Sequence, residues 1–121
     1  MKINIHVETR FLAERSDLTL DRYAFAYTVT IRNDGDAPAR LISRHWIIAD
    51  GTGHIDEVRG PGVVGETPRL RPGEAFTYTS GAVIASPVGY MSGSYQMQGD
   101  DGALFDAPIA RFELKMPRTL N

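Results

Sequence analysis

Residues 2–11 of the chain read KINIHVETRF, and the alternation of larger β-branched or aromatic side chains with polar ones in this stretch decides the fold. Residues 23–31, YAFAYTVTI, repeat the same period of two. A period of two places one set of side chains on each face of a β-strand, whereas a helix would scatter them around its circumference. Both stretches are therefore predicted to be strands.

The rest of the chain is divided by glycine and proline. All 12 Gly and all 7 Pro lie at or after Gly35, and their spacing leaves no room for a long helix there. Turn-forming residues cluster at 33–36, 50–53 and 99–102, and an irregular stretch covers 60–73. The segments between them are predicted as strands at 39–49, 54–59, 76–80, 93–98 and 104–116.

About seven short strands separated by turns predict an all-β fold, an antiparallel β-sandwich of the immunoglobulin or fibronectin type III kind. Trp46 and Tyr95 fit the aromatic anchors of such sandwiches. A closed barrel is the alternative, because the pattern of strands alone does not distinguish the two. With 121 residues, the chain is predicted to form one domain over 1–121.

The composition excludes several classes of protein. The chain has 13 basic and 15 acidic residues, a net charge of −2, and a nucleic-acid-binding domain would normally be basic. It has no cysteine, which excludes disulfides, zinc ribbons and a thiol nucleophile. No apolar run approaches the length of about 20 residues that a membrane helix needs. We expect a cytoplasmic protein with no cofactor, no nucleic-acid partner and no membrane segment.

Residues 60–65, GPGVVG, match the G-x-G-x-x-G motif of dinucleotide-binding folds. In those folds a helix begins at the last glycine, but here Pro68 and Pro72 forbid it. We interpret the segment as a glycine-rich loop that crosses between the sheets. A weaker hypothesis is that backbone N–H groups and nearby arginines hold a phosphate or another anion. The residues of this candidate anion loop are Arg59, Gly60, Gly62, Gly65, Arg69 and Arg71.

Residue types that carry catalysis or bind metals are present but poorly placed. His6 lies among the polar positions of the first predicted strand and is interpreted as a solvated surface side chain. His45 and His54 are too far apart along the predicted hairpin to share an ion. Residues 50–57 resemble part of an EF-hand loop, but two of its ligand positions fall on Ile48 and Arg59. No serine lies in a G-x-S-x-G motif, and most carboxylates occur in turns. We predict no catalytic residue and no dedicated metal site, and we leave weak divalent-cation binding open.

Residues 83–91, VIASPVGYM, are apolar and contain Pro87 and Gly89, which predicts a loop. Such a loop either folds over the end of the core or is offered to a partner. The opening strand, if it lies at a sheet edge, could also accept a partner strand, and a homodimer is possible. The residues of the candidate protein interface are Val83, Ile84, Val88, Tyr90 and Met91.

Several longer segments resemble one known family, the bacterial ApaG family. They are HWIIAD at 45–50, VRGPGVVGE at 58–66, PRLRPGEAFTYTSG at 68–81, PVGYM at 87–91 and GSYQM at 93–97. The resemblance covers nearly the whole chain and implies a fibronectin type III-like β-sandwich. It places the family's glycine signature on Gly60, Gly62 and Gly65, and it supplies no catalytic residue.

The resemblance also bears on function. The family is named for the proximity of its gene to that of a diadenosine tetraphosphate hydrolase, and an older name links it to cobalt and magnesium resistance. Related domains in eukaryotic F-box proteins and in a DNA-polymerase-interacting protein are regarded as protein-interaction modules. The leading hypothesis is thus a non-enzymatic module that binds a protein partner. The alternatives are binding of phosphate or a nucleotide polyphosphate through the GPGVVG loop, and an indirect role in cobalt and magnesium homeostasis.

Overall fold

The computed structural model describes residues 2–117, and most of them lie in eight antiparallel strands. The strands are β1 (Ile3–Phe11), β2 (Tyr23–Asn33), β3 (Ala39–Asp50), β4 (Ile55–Pro61), β5 (Arg69–Leu70), β6 (Ala75–Ile84), β7 (Val88–Gly99) and β8 (Leu104–Lys115). Two single-turn 3₁₀ helices, at Ala13–Arg15 and Leu18–Leu20, connect β1 to β2. Within the described range, no helix is both long enough and apolar enough to cross a membrane.

The strands form two sheets that enclose one core. The smaller sheet has the order β1-β2-β6, and the larger has the order β4-β3-β7-β8, with the short β5 also paired to β3. This arrangement confirms the antiparallel β-sandwich. No ladder joins the two sheets anywhere in residues 2–117, so the closed barrel is wrong.

The aromatic side chains predicted as anchors lie at the centre of the core. Trp46 on β3 is 2% exposed and makes edge-on contacts with Tyr27 of β2, Tyr95 of β7 and Phe112 of β8 at centroid distances of 5.4, 6.1 and 5.9 Å. Such edge-on pairs add to the stabilisation that burial alone gives. Trp46 therefore packs against strands of both sheets.

The observed strands agree with the predicted ones except in two segments. Strand β5 lies inside the stretch 60–73 that was predicted to be irregular, because a two-residue strand is too short to show a period. The loop predicted for 83–91 is also wrong, since only 85–87 lie between β6 and β7. Gly89 does not interrupt β7: a Cβ there would lie 2.7 Å from the carbonyl oxygen of Ala49, so the glycine permits close packing of two strands.

Strand β3 contains a bulge that matters for the loop after β4. The register of β3 with β7 shifts between Leu41 and Ser43, which leaves Ile42 as an extra residue. The carbonyl of Ile42 accepts a hydrogen bond of 2.8 Å from the N–H of Gly62. The bulge therefore fixes the start of the glycine-rich loop.

Candidate functional site

The glycine-rich loop joins β4 to β5, and both strands pair with β3, so the prediction that this segment crosses between the sheets is wrong. It is a compact turn whose polar backbone groups are largely used within the chain. Val63 and Glu66 exchange two backbone hydrogen bonds of 2.9 and 2.8 Å, and the N–H of Gly62 donates to Ile42. Gly62, Val64 and Gly65 have positive φ angles of 58°, 44° and 79°. No helix begins at Gly65, as the prolines predicted. An anion nest needs several free N–H groups that converge, and the N–H groups of Gly62, Val63 and Glu66 already have acceptors.

The carbonyl side of this loop is held by an arginine that the sequence analysis did not single out. Nη1 of Arg44 donates hydrogen bonds of 2.9 Å to the carbonyl oxygens of both Pro61 and Gly62. Gly60 lies opposite Arg44 in the β3–β4 ladder, and a Cβ at Gly60 would lie 2.8 Å from the guanidinium. A side chain at position 60 would therefore displace the Arg44 guanidinium from its present position.

The three arginines of the candidate anion loop do not converge. Arg59 is exposed, and its nearest ionic partner is Glu57, at 3.8 Å. Arg69 forms a two-pronged ion pair with Asp100, with distances of 3.0 Å from Nε and 2.5 Å from Nη2, and this hydrogen bonding lowers the pKa of Asp100. Arg71 is exposed, and its backbone N–H donates to Glu74. Arg59 lines an open depression of about 550 Å³ with Arg44 and Gly60, whereas Arg69 lines a different one beside Asp100.

Two of the turn carboxylates, Asp50 and Asp101, accept hydrogen bonds from backbone N–H groups of their own turns. Asp50 accepts hydrogen bonds from the backbone and hydroxyl of Thr52 and from the N–H of His54, at 2.9, 2.6 and 3.1 Å. The Thr52 hydroxyl is the main cause of the lowered pKa of Asp50. Asp101 likewise accepts from the N–H of Ala103. Asp50 is thus held ionised in a structural role, which is unsuitable for a general acid.

The three histidines each lie beside a single carboxylate. His6 pairs with Glu8, His45 with Glu57 and His54 with Asp56, at 3.4, 3.3 and 2.9 Å. Across residues 2–117, three or more His, Cys, Asp or Glu side chains are nowhere grouped so that they could hold a metal ion.

The candidate protein interface at 83–91 is divided between the core and the surface. Met91 is 1% exposed and Ile84 is 6% exposed, so neither side chain is available to a partner. Val88 and Tyr90 are half-buried, and Val83 is 64% exposed. The prediction treated the segment as one loop, but alternate residues of a strand face opposite sides of the sheet. Met91 and Ile84 face inward for that reason.

Tyr90 belongs to a larger surface on the larger sheet, which we call the outer sheet face. The register places its side chains in rows that cross β4, β3, β7 and β8. The rows are Ile55, Ala49, Tyr90 and Glu113; Glu57, Ile47 and Ser92; Arg59, His45, Ser94 and Pro108; and Pro61, Ser43, Gln96 and Asp106.

The two ends of the outer sheet face differ chemically. At one end the ring of Tyr90 lies under the guanidinium of Arg111, 4.5 Å from Cζ to the ring centroid, and Ile55 in the same row is 61% exposed. At the other end polar groups interact, with Ser43 donating to Gln96 at 2.8 Å and Gln96 donating to Ser94 at 2.9 Å. The face therefore combines an aromatic–arginine–aliphatic patch with a hydrogen-bonded polar patch.

The sequence contained part of the signal for this surface. Alternation in the third predicted strand places Ser43, His45 and Ile47 on the side of the sheet opposite to Trp46. What it lacked was the register between strands, which brings Ile55 and Tyr90 into one row. The outer surface of the smaller sheet is different in kind, with threonine hydroxyl pairs at Thr28–Thr79 (2.8 Å) and Thr30–Thr77 (3.1 Å).

Comparisons with known protein families, sequences and structures agree on one family. Residues 13–99 match the ApaG domain family. The chain is 60% identical to Protein ApaG of Thiobacillus denitrificans and 57% identical to that of Nitrosospira multiformis, in each case over 99% of this chain and 94% of the relative. It is also similar to the crystal structure of a Bordetella pertussis protein described as ApaA. That similarity has a TM-score of 0.94 at 51% identity and covers 98% of this chain and 96% of the other.

Proposed function

The chain belongs to the ApaG domain family, and from that premise we propose that it is a non-enzymatic domain that binds a protein partner through the outer sheet face. One observation carries this proposal: Tyr90, stacked under Arg111, lies in the same cross-strand row as the exposed Ile55. Tyrosine and arginine are enriched in protein interfaces and among the residues that contribute most to binding.

The chemistry around this row fits a protein partner better than a small molecule. The face is open, and its central side chains are half-buried by their neighbours. Because these side chains are already restricted, they lose little conformational entropy when a partner binds. Charged groups of both signs surround the apolar end, with Glu57 and Arg59 on β4 and Glu113 beside Arg111 on β8. Such a rim favours a partner that presents an apolar centre with mixed charges around it.

This proposal moves the interface from the loop expected at 83–91 to a sheet face and retains Tyr90 as its central residue. Val88 lies at the start of the same strand, and Val83 lies on β6 of the other sheet. Ile84 and Met91 have no part in it, because both are buried.

The experiment is comparative affinity capture from a lysate of the organism that makes the protein. The baits are the wild-type chain, Tyr90→Ala, Arg111→Glu and the control Thr28→Ala, which alters the opposite surface. Support is a protein retained by the wild type and by Thr28→Ala and lost with Tyr90→Ala and Arg111→Glu, while circular dichroism shows all four baits folded. If all four baits retain the same proteins, or none above the bead background, the outer sheet face is not the interface.

Binding of phosphate or a nucleotide polyphosphate remains the alternative, with less support. Its six candidate residues are divided between two depressions, and Arg69 is already paired with Asp100. The part of this hypothesis that the geometry favours is Arg59 beside Arg44, two guanidinium groups at one depression. Calorimetry with pyrophosphate, ATP and diadenosine tetraphosphate tests it, and heat that is lost in Arg59→Ala would support it. The absence of heat at millimolar ligand would exclude it.

An indirect role in cobalt and magnesium homeostasis also remains a prediction, and no clustered ligand set within 2–117 favours it. Equilibrium dialysis against each ion measures whether either one binds at all.

A further inference from the structure

Among the described strands, β1 and β6 form the edges of the smaller sheet, and β4, the two-residue β5 and β8 form those of the larger one. Strands β1, β4 and β8 carry groups that oppose pairing with another chain, and β5 is too short to offer a long edge. An exposed edge offers unpaired N–H and C=O groups, and proteins usually protect it with charges, prolines or bulges. Strand β1 contains His6, Glu8 and Arg10. Strand β4 contains Pro61 and charged residues, and strand β8 contains Pro108 and a register shift against β7.

Strand β6 has none of these devices. Its sequence, AFTYTSGAVI, contains no charged residue and no proline. Its pairing with β2 runs without a shift from Tyr23 opposite Ile84 to Arg32 opposite Ala75. In the described part of the chain β2 is its only ladder partner, so the second edge of a straight ten-residue strand is unpaired.

The hydrogen bonds next to β6 show which of its residues face that edge. The carbonyl of Glu74 accepts from the N–H of Asn33 at 2.9 Å, and these two residues come directly after the last ladder pair, Arg32 opposite Ala75. Backbone groups of successive strand residues point to opposite sides. The even-numbered residues of β6 therefore bond to β2, and the odd-numbered residues direct their N–H and C=O groups away from it. The odd-numbered residues, all exposed, are Ala75, Thr77, Thr79, Gly81 and Val83.

We propose that this edge pairs with the same edge of a second copy of the chain, antiparallel, with a two-fold axis at Thr79. That axis places Thr79 opposite its own counterpart, Thr77 opposite Gly81, and Ala75 opposite Val83. Every odd-numbered residue then exchanges backbone hydrogen bonds across the axis, as an antiparallel ladder requires. The two smaller sheets become one continuous six-stranded sheet.

The chemistry of the edge selects a second copy rather than a charged peptide. An uncharged strand has no group that would attract a charged segment, and it meets no repulsion from its own copy. On the outer side of the sheet the side chains opposed across the axis are all small or β-branched, whereas on the inner side Tyr78 would lie opposite Ser80 and Phe76 opposite Ala82. Threonine pairs already stabilise the ladder between β2 and β6. A two-fold contact uses the same patch on both copies, which a single self-complementary strand satisfies. This surface is separate from the outer sheet face, so the dimer does not depend on the proposed function.

Sedimentation velocity of the full chain over a range of concentrations tests the proposal. The samples are the wild type, Thr79→Lys, Thr79→Glu, an equimolar mixture of these two variants, and the control Thr28→Lys, which adds the same charge one strand further in. We expect dimers that grow with concentration for the wild type and for Thr28→Lys, monomers for each Thr79 variant alone, and dimers again in the mixture. Each variant alone would place like charges directly opposite one another, which opposes pairing. In the mixture, the introduced lysine of one copy would lie opposite the introduced glutamate of the other, and the dimer would recover.

Other results overturn the proposal. A wild-type protein that stays monomeric up to millimolar concentration would exclude the proposed dimer. Dimers that persist in both Thr79 variants place the contact elsewhere, and a mixture that stays monomeric excludes the axis at Thr79. Circular dichroism and a thermal transition close to that of the wild type establish that each variant is folded, so a monomer can be attributed to the edge.

Discussion

The hydroxyl groups of Tyr78 and Tyr95 lie 2.5 Å apart in the core and join the two sheets by a hydrogen bond. Tyr78 is on β6 of the smaller sheet and Tyr95 is on β7 of the larger one. The side chains are 7% and 0% exposed, so water does not readily replace either partner. Each hydroxyl is thus the main hydrogen-bond partner of the other.

Replacement of either tyrosine by phenylalanine should leave a buried hydroxyl without this partner. We expect Tyr78→Phe and Tyr95→Phe each to lower the free energy of unfolding by about 1–3 kcal/mol. The double variant removes both hydroxyl groups, so its loss should be clearly smaller than the two single losses added together. Urea unfolding of the four proteins measures this coupling. Strictly additive losses would mean that the two hydroxyl groups act independently.

The same pair predicts a loss of stability in alkali. Burial raises the pKa of Tyr78 to about 12 and raises the pKa of Tyr95 as well, above the value of about 10 for an unfolded chain. Between these values the folded state holds protons that the unfolded state has released. The stabilisation is therefore complete below pH about 10 and is lost as the pH rises from there towards about 12.

Urea midpoints measured from pH about 8 to about 11 should fall for the wild type. They should fall less steeply for Tyr78→Phe/Tyr95→Phe, which has neither ionisable group. Equal slopes for both proteins would assign the alkaline loss to other groups.

Gly93 should be intolerant of any side chain. It has a φ of 155° and pairs with Trp46, and a Cβ there would clash with the carbonyl oxygen of His45. We expect Gly93→Ala to lower the free energy of unfolding by about 3 kcal/mol or more, because backbone must move to relieve the clash. Thermal and urea unfolding measure the loss.

Gly102 is the matched control for Gly93, with a φ of 85° and open space where a Cβ would be. Gly102→Ala tests backbone conformation without a clash and should cost about 1 kcal/mol. Similar losses for the two variants would show that conformation, not close approach, determines the requirement for glycine at position 93.

Asn33 organises the connection between β2 and β3 from a fully buried position. Its Nδ2 donates to the carbonyl groups of Ala37 and Leu70, both at 2.9 Å, and its Oδ1 accepts from the N–H of Gly35 at 2.9 Å. We expect Asn33→Ala to lower the free energy of unfolding by about 3 kcal/mol, because buried backbone groups lose their partners. Asn4→Ala on the exposed side of β1 should change it by less than about 0.5 kcal/mol. Urea unfolding compares the two, and equal effects would contradict a bridging role for Asn33.

Much of the fold could be predicted from local sequence, because a half-buried strand shows a period of two. Strands β1 and β2 were readable in this way, and Trp46 and Tyr95 were identified as core residues. Asn33 was taken for a turn residue, since asparagine is common in turns and nothing local marks it as buried. Gly89 was taken for an interruption because the reason for a glycine there is the Ala49 carbonyl of a neighbouring strand.

The candidate site could be predicted less well, because it depends on which residues lie opposite one another. Tyr90 was singled out, but Met91 was grouped with it although alternate residues face opposite sides of a sheet. The row that joins Tyr90 to Ile55 follows from the register of three strands, and the bulge at Ile42 shifts that register. Arg44 was missed because its partners are backbone carbonyl groups, which leave no trace in the sequence.

In a regular strand, removing one residue changes which side of the sheet the residues beyond it face. The bulge at Ile42 makes β3 an exception. Leu41 and Ser43 already pair with consecutive residues of β7, Met97 and Gln96. A chain shortened by that single residue would keep the same inward and outward assignments along the whole strand. It would lose the carbonyl that anchors Gly62 and the half-buried side chain of Ile42. Here a one-residue deletion, normally among the most damaging changes to a strand, would act on the neighbouring loop and spare the sheet.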